Sequence, residues 1–190
     1  MPVTMHVLRS ASGLRLRAAE REDIPLLSRW RSDPRILEFY AGRDTPLDEN
    51  DIRAHYFRRR RDTATGRFYE FQPCVVELSQ VPVAFVQYYR LPLQESMLFG
   101  YPPEDRTYGI DFFIGDPSLW GGGLGTRLIE LTRDFLRERR GARRVVADPR
   151  TDNPRSVRAL EKAGFRKVRL LPARVVHERV PRDCWLMAHP

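Results

Sequence analysis

The sequence is short of the residues that staple small folds or hold metals. Its two cysteines, Cys74 and Cys184, stand far apart, which excludes a disulfide scaffold and a thiolate zinc site. The histidines (His6, His55, His177 and His189) are scattered without ligand spacing, so no metal site is expected. No apolar run approaches the ~18–20 residues of a membrane-spanning helix. Residues 1–13 lack the continuous apolar stretch of a secretory leader and read as a flexible extension. Isolated thiols without such a leader point to a cytoplasmic protein. Lysine is nearly missing: of 33 basic residues, Lys162 and Lys167 are lysines and the other 31 are arginines.

What is present is enough for one folded domain, expected over 1–190. The chain has 190 residues, 42% hydrophobic and 31% charged, and can bury a core without staples. The net charge of +8 suggests an anionic partner without saying which.

The hydrophobic pattern predicts a mixed α/β fold. Leu14–Arg17 alternates apolar and charged residues, as a strand does. Ile24, Leu27 and Trp30 recur at helical spacing, and Asp33-Pro34 closes that helix. A second short helix ends near Gly42, and a third is predicted over Asp48 to Arg61. Pro73–Leu78 and Val81–Tyr89 around Ser79-Gln80 read as a hairpin. Arg90–Arg106 reads as a long loop, the kind that is more often functional than idle. Thr107–Ile114 is a strand, and a strongly periodic helix runs from the glycine run to about Arg139. Arg144–Asp148 is a strand, and Asn153–Ala163 is a helix closed by Gly164. Phe165–Leu171 and Cys184–Met187 finish the sheet. The front half is antiparallel, and the strand–helix–strand unit at the back implies a parallel pair.

The most informative segment is Trp120-Gly121-Gly122-Gly123-Leu124-Gly125-Thr126, between a strand and the long helix. Glycines let the backbone turn sharply and approach a ligand. The first amides of a helix lack internal acceptors and, with the dipole, suit a phosphate or pyrophosphate. Taken alone, the cluster reads more readily as a turn without a ligand. It is neither a Walker P-loop, having no Gly-Lys-Ser/Thr, nor a G-x-G-x-x-G dinucleotide turn.

With its surroundings, the segment resembles the acyl-CoA-binding motif of the GCN5-related N-acetyltransferases, Gln/Arg-x-x-Gly-x-Gly/Ala, with Trp120 in the Gln/Arg position. The stretch Asp152-Asn153-Pro154-Arg155-Ser156-Val157-Arg158-Ala159-Leu160-Glu161-Lys162-Ala163-Gly164-Phe165 resembles the family's N-x-x-A-x-x-x-Y-E-K-x-G-F, in the right order. The resemblance covers about Leu14 to Met187. It implies a mostly antiparallel central sheet flanked by helices, with a parallel strand pair at the acyl-CoA site. It also implies acetyl transfer from acetyl-CoA to an amine, without a metal. The amides of Gly121, Gly122, Gly123, Leu124, Gly125 and Thr126 would hold the pyrophosphate. The backbone of Phe113 and Ile114 would bind pantetheine and polarise the thioester. Asn153 would touch the pantetheine arm, and Lys162 would lie near the phosphates.

Within that family, Tyr108-Gly109-Ile110-Asp111, Ala147-Asp148-Pro149, Gly42-Arg43-Asp44 and Pro73-Cys74-Val75-Val76-Glu77 resemble aminoglycoside 6′-N-acetyltransferases. Such acceptors are polycations, recognised through carboxylates. Asp111 is the candidate to orient the amine and take its proton. A carboxylate with an ordinary pKa near 4 is a weak base, so the site must shift it. Asp148 would bind a second amino or hydroxyl group, with Asp183 and Tyr108 as further substrate-binding candidates and Glu104 and Asp105 behind them. Leu160 replaces the tyrosine the family uses to protonate the leaving thiolate, and Tyr108 or Tyr101 are the substitutes to look for.

The expected partners are acetyl-CoA and a small cationic amine, with the chain a monomer or homodimer and no membrane partner. Arg58-Arg59-Arg60-Arg61 reads as the solvated end of a helix, and no nucleic-acid-binding motif accompanies it. Two other readings stay open. One is an N-acyltransferase for a polyamine, a lysine-derived siderophore precursor or a peptide amine. The other is a catalytically silent CoA- or RNA-binding module.

Overall fold

A computed structural model describes residues 7–190. Strands β1 (Val7–Ala11), β2 (Leu14–Ala18), β3 (Phe71–Leu78), β4 (Val81–Arg90), β5 (Thr107–Ile114), β6 (Arg144–Ala147), β7 (Arg166–His177) and β8 (Val180–His189) form one sheet. Its order is β1-β2-β3-β4-β5-β6-β8-β7. All pairings are antiparallel except β5 with β6, as the sequence implies. Part of the expected N-terminal extension is ordered: Val7–Ala11 pair with β2, while 1–6 lie outside the described residues.

Helices α1 (Ile24–Trp30), α2 (Pro34–Leu37), α3 (Glu49–Tyr56), α4 (Leu93–Phe99), α5 (Leu124–Arg140) and α6 (Pro154–Lys162) cover the sheet. The pleat sends alternate β5 side chains to opposite faces. Tyr108 and Ile110 join the core under α5 and α6, and Phe113 joins a second core under α1 and α3. Ser79 and Gln80 turn the β3–β4 hairpin with positive φ at both residues, the backbone that matches strand twist.

Two expectations change, and one buried charge was not foreseen. The third helix stops at Tyr56, and Arg61 instead bridges to Phe68. The segment read as the loop Arg90–Arg106 contains α4, started after Pro92 and ended by Gly100 in the left-handed region. Its first amide, Leu93 N–H, donates to Asp62 Oδ2 at 2.5 Å, a cap supplied from a distant loop. Arg17, which alternation alone would send to solvent, is buried, with ion pairs to Asp23 and Glu77 at 2.7 Å each. Those pairs tie the start of α1 to β2 and β3.

Candidate active site

The site follows from where β5 and β6 stop pairing. They are in register over Thr107–Gly109 and Arg144–Val146, after which β5 continues to Ile114 with a partner only on its β4 side. The open edge of Ile110–Ile114 leaves backbone donors and acceptors facing a split in the sheet. Two adjoining cavities fill that split.

The first cavity is about 350 Å³. It is lined by Phe113 and Ile114, by Gly121, Gly123, Gly125 and Thr126, and by Asn153 and Lys162. Gly123 is the N-cap of α5, with φ of 81° and no side chain capping the helix, so the first-turn amides are free for an anion. A Cβ at Gly121 or Gly123 would meet nothing within 4 Å; the glycines serve backbone conformation and clearance for a ligand. Gly122 is exposed beside the cavity, and Leu124 turns its side chain into the core. Arg155 adds charge that sequence reading missed, with its guanidinium 4.3 Å from the Phe39 ring and 4.7 Å from the Trp120 ring. Trp120 donates its indole N–H to the Ile114 carbonyl at 3.3 Å, which ties the glycine turn to the end of β5. An uncapped helix start, a glycine turn and Arg155, Arg158 and Lys162 along one wall fit the phosphates of CoA. Asn153 caps α6 by accepting from Ser156 N–H at 3.2 Å and lines both cavities.

The second cavity is about 180 Å³ and brings Asp111 and Asp148 together. Asp111 lies at the open part of β5, and Gln87 on β4 donates to its Oδ2 at 2.6 Å. Burial pushes the Asp111 carboxyl up to about 7, the charge of Asp148 adds to the rise, and the Gln87 hydrogen bond opposes it. Asp148 is not free. Arg174 Nε donates to its Oδ2 at 2.7 Å while Arg174 Nη2 donates to Glu95 Oε1 at 2.8 Å. Burial raises the Asp148 and Glu95 carboxyls, and Arg174 only partly offsets the rise.

The other candidates lie elsewhere. Tyr108 is three positions from Asp111, so the pleat puts it on the opposite face, where its hydroxyl donates to Glu70 at 2.7 Å. Asp183 is exposed and accepts from Ala173 N–H at 2.8 Å. Tyr101 packs under the Arg144 guanidinium at 4.0 Å and lines neither cavity. Tyr40 lines both, its ring 4.8 Å from Phe113. Leu160 is fully buried on the wall of the second cavity.

Sequence reading missed Gln87, Glu95, Arg150, Arg174 and His177. The bracketing of Glu95 by Pro92 and Gly100 was an available signal. Arg174 gave none, because a register shift between Leu171 and Val175 decides where it points.

A split parallel pair beside an uncapped glycine turn, with a half-buried carboxylate in the adjoining cavity, is the arrangement of an acyl-CoA-dependent transferase. The chain belongs to the GNAT family: the family model described as an acetyltransferase (GNAT) domain matches residues 19–172. It is an acetyl-CoA-dependent N-acetyltransferase. A curated relative is the aminoglycoside N(6′)-acetyltransferase type 1 of Klebsiella pneumoniae, 24% identical over 85% of this chain and 78% of that protein. Among solved structures, AAC(6′)-Ib in complex with ribostamycin and coenzyme A aligns with a TM-score of 0.70 and 22% identity over 94% of this chain and 93% of that one. Spermidine N-acetyltransferase from Vibrio cholerae, in complex with CoA and spermine, aligns at 0.74 and 19% over 94% and 96%. These structures share the fold. Among the described residues no helix is long and apolar enough to cross a membrane.

Proposed function

We propose that the chain transfers the acetyl group of acetyl-CoA to a primary amine of an aminoglycoside, at the position equivalent to the 6′-amine. The carrying observation is Asp111, a carboxylate lining the second cavity two positions before Phe113 of the first, whose pKa burial raises to about 7. A base poised near neutrality takes a proton from an alkylammonium far better than one near 4. The aminoglycoside relatives in sequence and fold support the choice of acceptor.

In this reading the amides after Gly123, with Lys162, hold the phosphates of acetyl-CoA. The open edge at Phe113 and Ile114 orients the thioester and hydrogen-bonds its carbonyl oxygen as negative charge develops there. Asp111 takes one proton from the ammonium. The neutral nitrogen attacks the carbonyl carbon, the C–N bond forms, and the C–S bond breaks. Leu160 offers no proton, so the departing thiolate takes the second proton of the attacking nitrogen, directly or through a water. A thiol of ordinary pKa near 8.5 tolerates this.

A thiol-release assay with acetyl-CoA and kanamycin, tobramycin, spermidine, lysine and short peptides tests the proposal. Micromolar-KM turnover of kanamycin supports it. Turnover confined to non-antibiotic amines rejects the acceptor, and failure to bind acetyl-CoA in calorimetry rejects the mechanism.

A further inference from the structure

The acceptor cavity is lined by Arg150 and His177 as well as by Asp111 and Asp148, and Arg174 stands behind Asp148. Arg174 already engages Asp148 and Glu95. Arg150 lines the cavity, its Nε paired with Asp152 at 2.8 Å and its Nη2 donating to the Glu38 carbonyl at 3.0 Å. Arg150 Nη1 is buried with no partner among the described residues. His177 also lines the cavity, is 5% exposed, and its Nε2 is likewise buried and unpartnered. Asp111 makes no ion pair among the described residues. Buried polar groups in native proteins find partners, so Arg150 and His177 await an oxygen that enters with the ligand.

We infer that the cavity takes one ammonium, at Asp111, beside an uncharged hydroxyl read by His177 and Arg150, and that Arg174 sets this selectivity by occupying Asp148. This deepens the acceptor reading above and rests on it. The acceptor class is a primary amine on a hydroxyl-bearing sugar ring, with no second ammonium on the ring that enters. Arg174 acts through Asp148 and is a positioning residue. Loss of its charge frees Asp148 for a second cation. At separations of about 4–6 Å and an effective dielectric of about 20, one charge is worth roughly a hundredfold to a thousandfold in affinity, of which about tenfold or more should survive screening in a cavity open to solvent.

Kanamycin A and kanamycin B differ on the ring bearing the 6′-amine by one group, a 2′-hydroxyl against a 2′-ammonium. The pair 3-amino-1-propanol and 1,3-diaminopropane differs in the same way without the sugar. Wild type is expected to prefer the hydroxyl member of each pair in kcat/KM. Arg174→Gln should shift the ratio toward the ammonium member by about tenfold or more. Arg174→Lys, which keeps the charge, should hold the wild-type ratio. Calorimetric acetyl-CoA affinity confirms that each variant is folded.

A folded Arg174→Gln enzyme with an unchanged ratio overturns the inference and leaves the aminoglycoside reading standing. Turnover of the simple pair alone rejects the aminoglycoside, and the ratio in that pair still decides the role of Arg174. An absence of both turnover and binding with all four amines overturns the two together.

Discussion

Asp111 should destabilise the fold it serves. Its carboxyl is raised from 3.8 to about 7, and at 1.36 kcal/mol per pH unit that difference amounts to at most about 4 kcal/mol. The sign follows from proton uptake. Between about pH 4 and pH 7 the folded chain holds a proton that the unfolded chain has released. Stability therefore falls as pH rises through that window, and the loss is complete above it. Asp111 is half-buried and solvent reaches part of it, so a realistic gain for Asp111→Asn at pH 8 is about 2 kcal/mol. That corresponds to about 4–8 °C in Tm for a chain of this size. Asparagine fits the local hydrogen bonding, because the Gln87 Oε1 beside it is buried without a partner among the described residues and can accept from the new amide. The gain should be near zero at pH 4 and grow to its full value by pH 8. Over the same range wild-type kcat/KM should rise with a midpoint near 7, while the variant loses about 10²–10⁴ in rate and its profile flattens. Thermal melts at pH 4, 6 and 8 with parallel thiol-release assays measure both. An asparagine variant no more stable than wild type at pH 8, or a gain independent of pH, would refute the burial argument. Near-normal rates would remove Asp111 from the chemistry.

Other perturbations separate cofactor, acceptor and scaffold. Gly123→Ala forces a β-carbon into a left-handed N-cap (φ of 81°) at a cost of about 1–2 kcal/mol. Calorimetry should show acetyl-CoA affinity down by about tenfold, and unaltered affinity would place the phosphates elsewhere. Tyr108→Phe removes one hydrogen bond to Glu70 on the face away from Asp111. Urea melts should show about 1 kcal/mol lost with kcat retained, and a tenfold drop in kcat would return Tyr108 to the site. Glu77→Gln strips a carboxylate from the buried Arg17 guanidinium. Asp23 still pairs with Arg17, so the loss of one charged hydrogen-bond partner should cost about 1–3 kcal/mol, and a denaturation midpoint unchanged from wild type would contradict that account.

Short-range order was legible wherever one physical rule dominated. The Thr107–Ile114 strand, the apolar stripe of α5 and the glycine turn before it are local patterns, and all three stand as read. Asp111 was legible because a carboxylate inside an apolar strand needs a reason. The failures have local causes too. The α4 segment is a short helix without a side-chain cap of its own, so its start depends on Asp62, far away in sequence. Tyr108 was drawn toward the site by its motif, although the pleat had already turned it away.

The sequence by itself determined the mixed sheet, the glycine turn that opens α5 and the carboxylate on β5, because periodicity, glycine placement and helix-end chemistry act over a few residues. Tertiary structure alone decided what surrounds that carboxylate. Only the folded chain brings Arg174 from a bulged β7 and Glu95 from α4 against Asp148, and leaves His177 Nε2 and Arg150 Nη1 without a partner among the described residues. Charge compensation inside a cavity depends on distances between segments remote in the chain, and no local pattern encodes them.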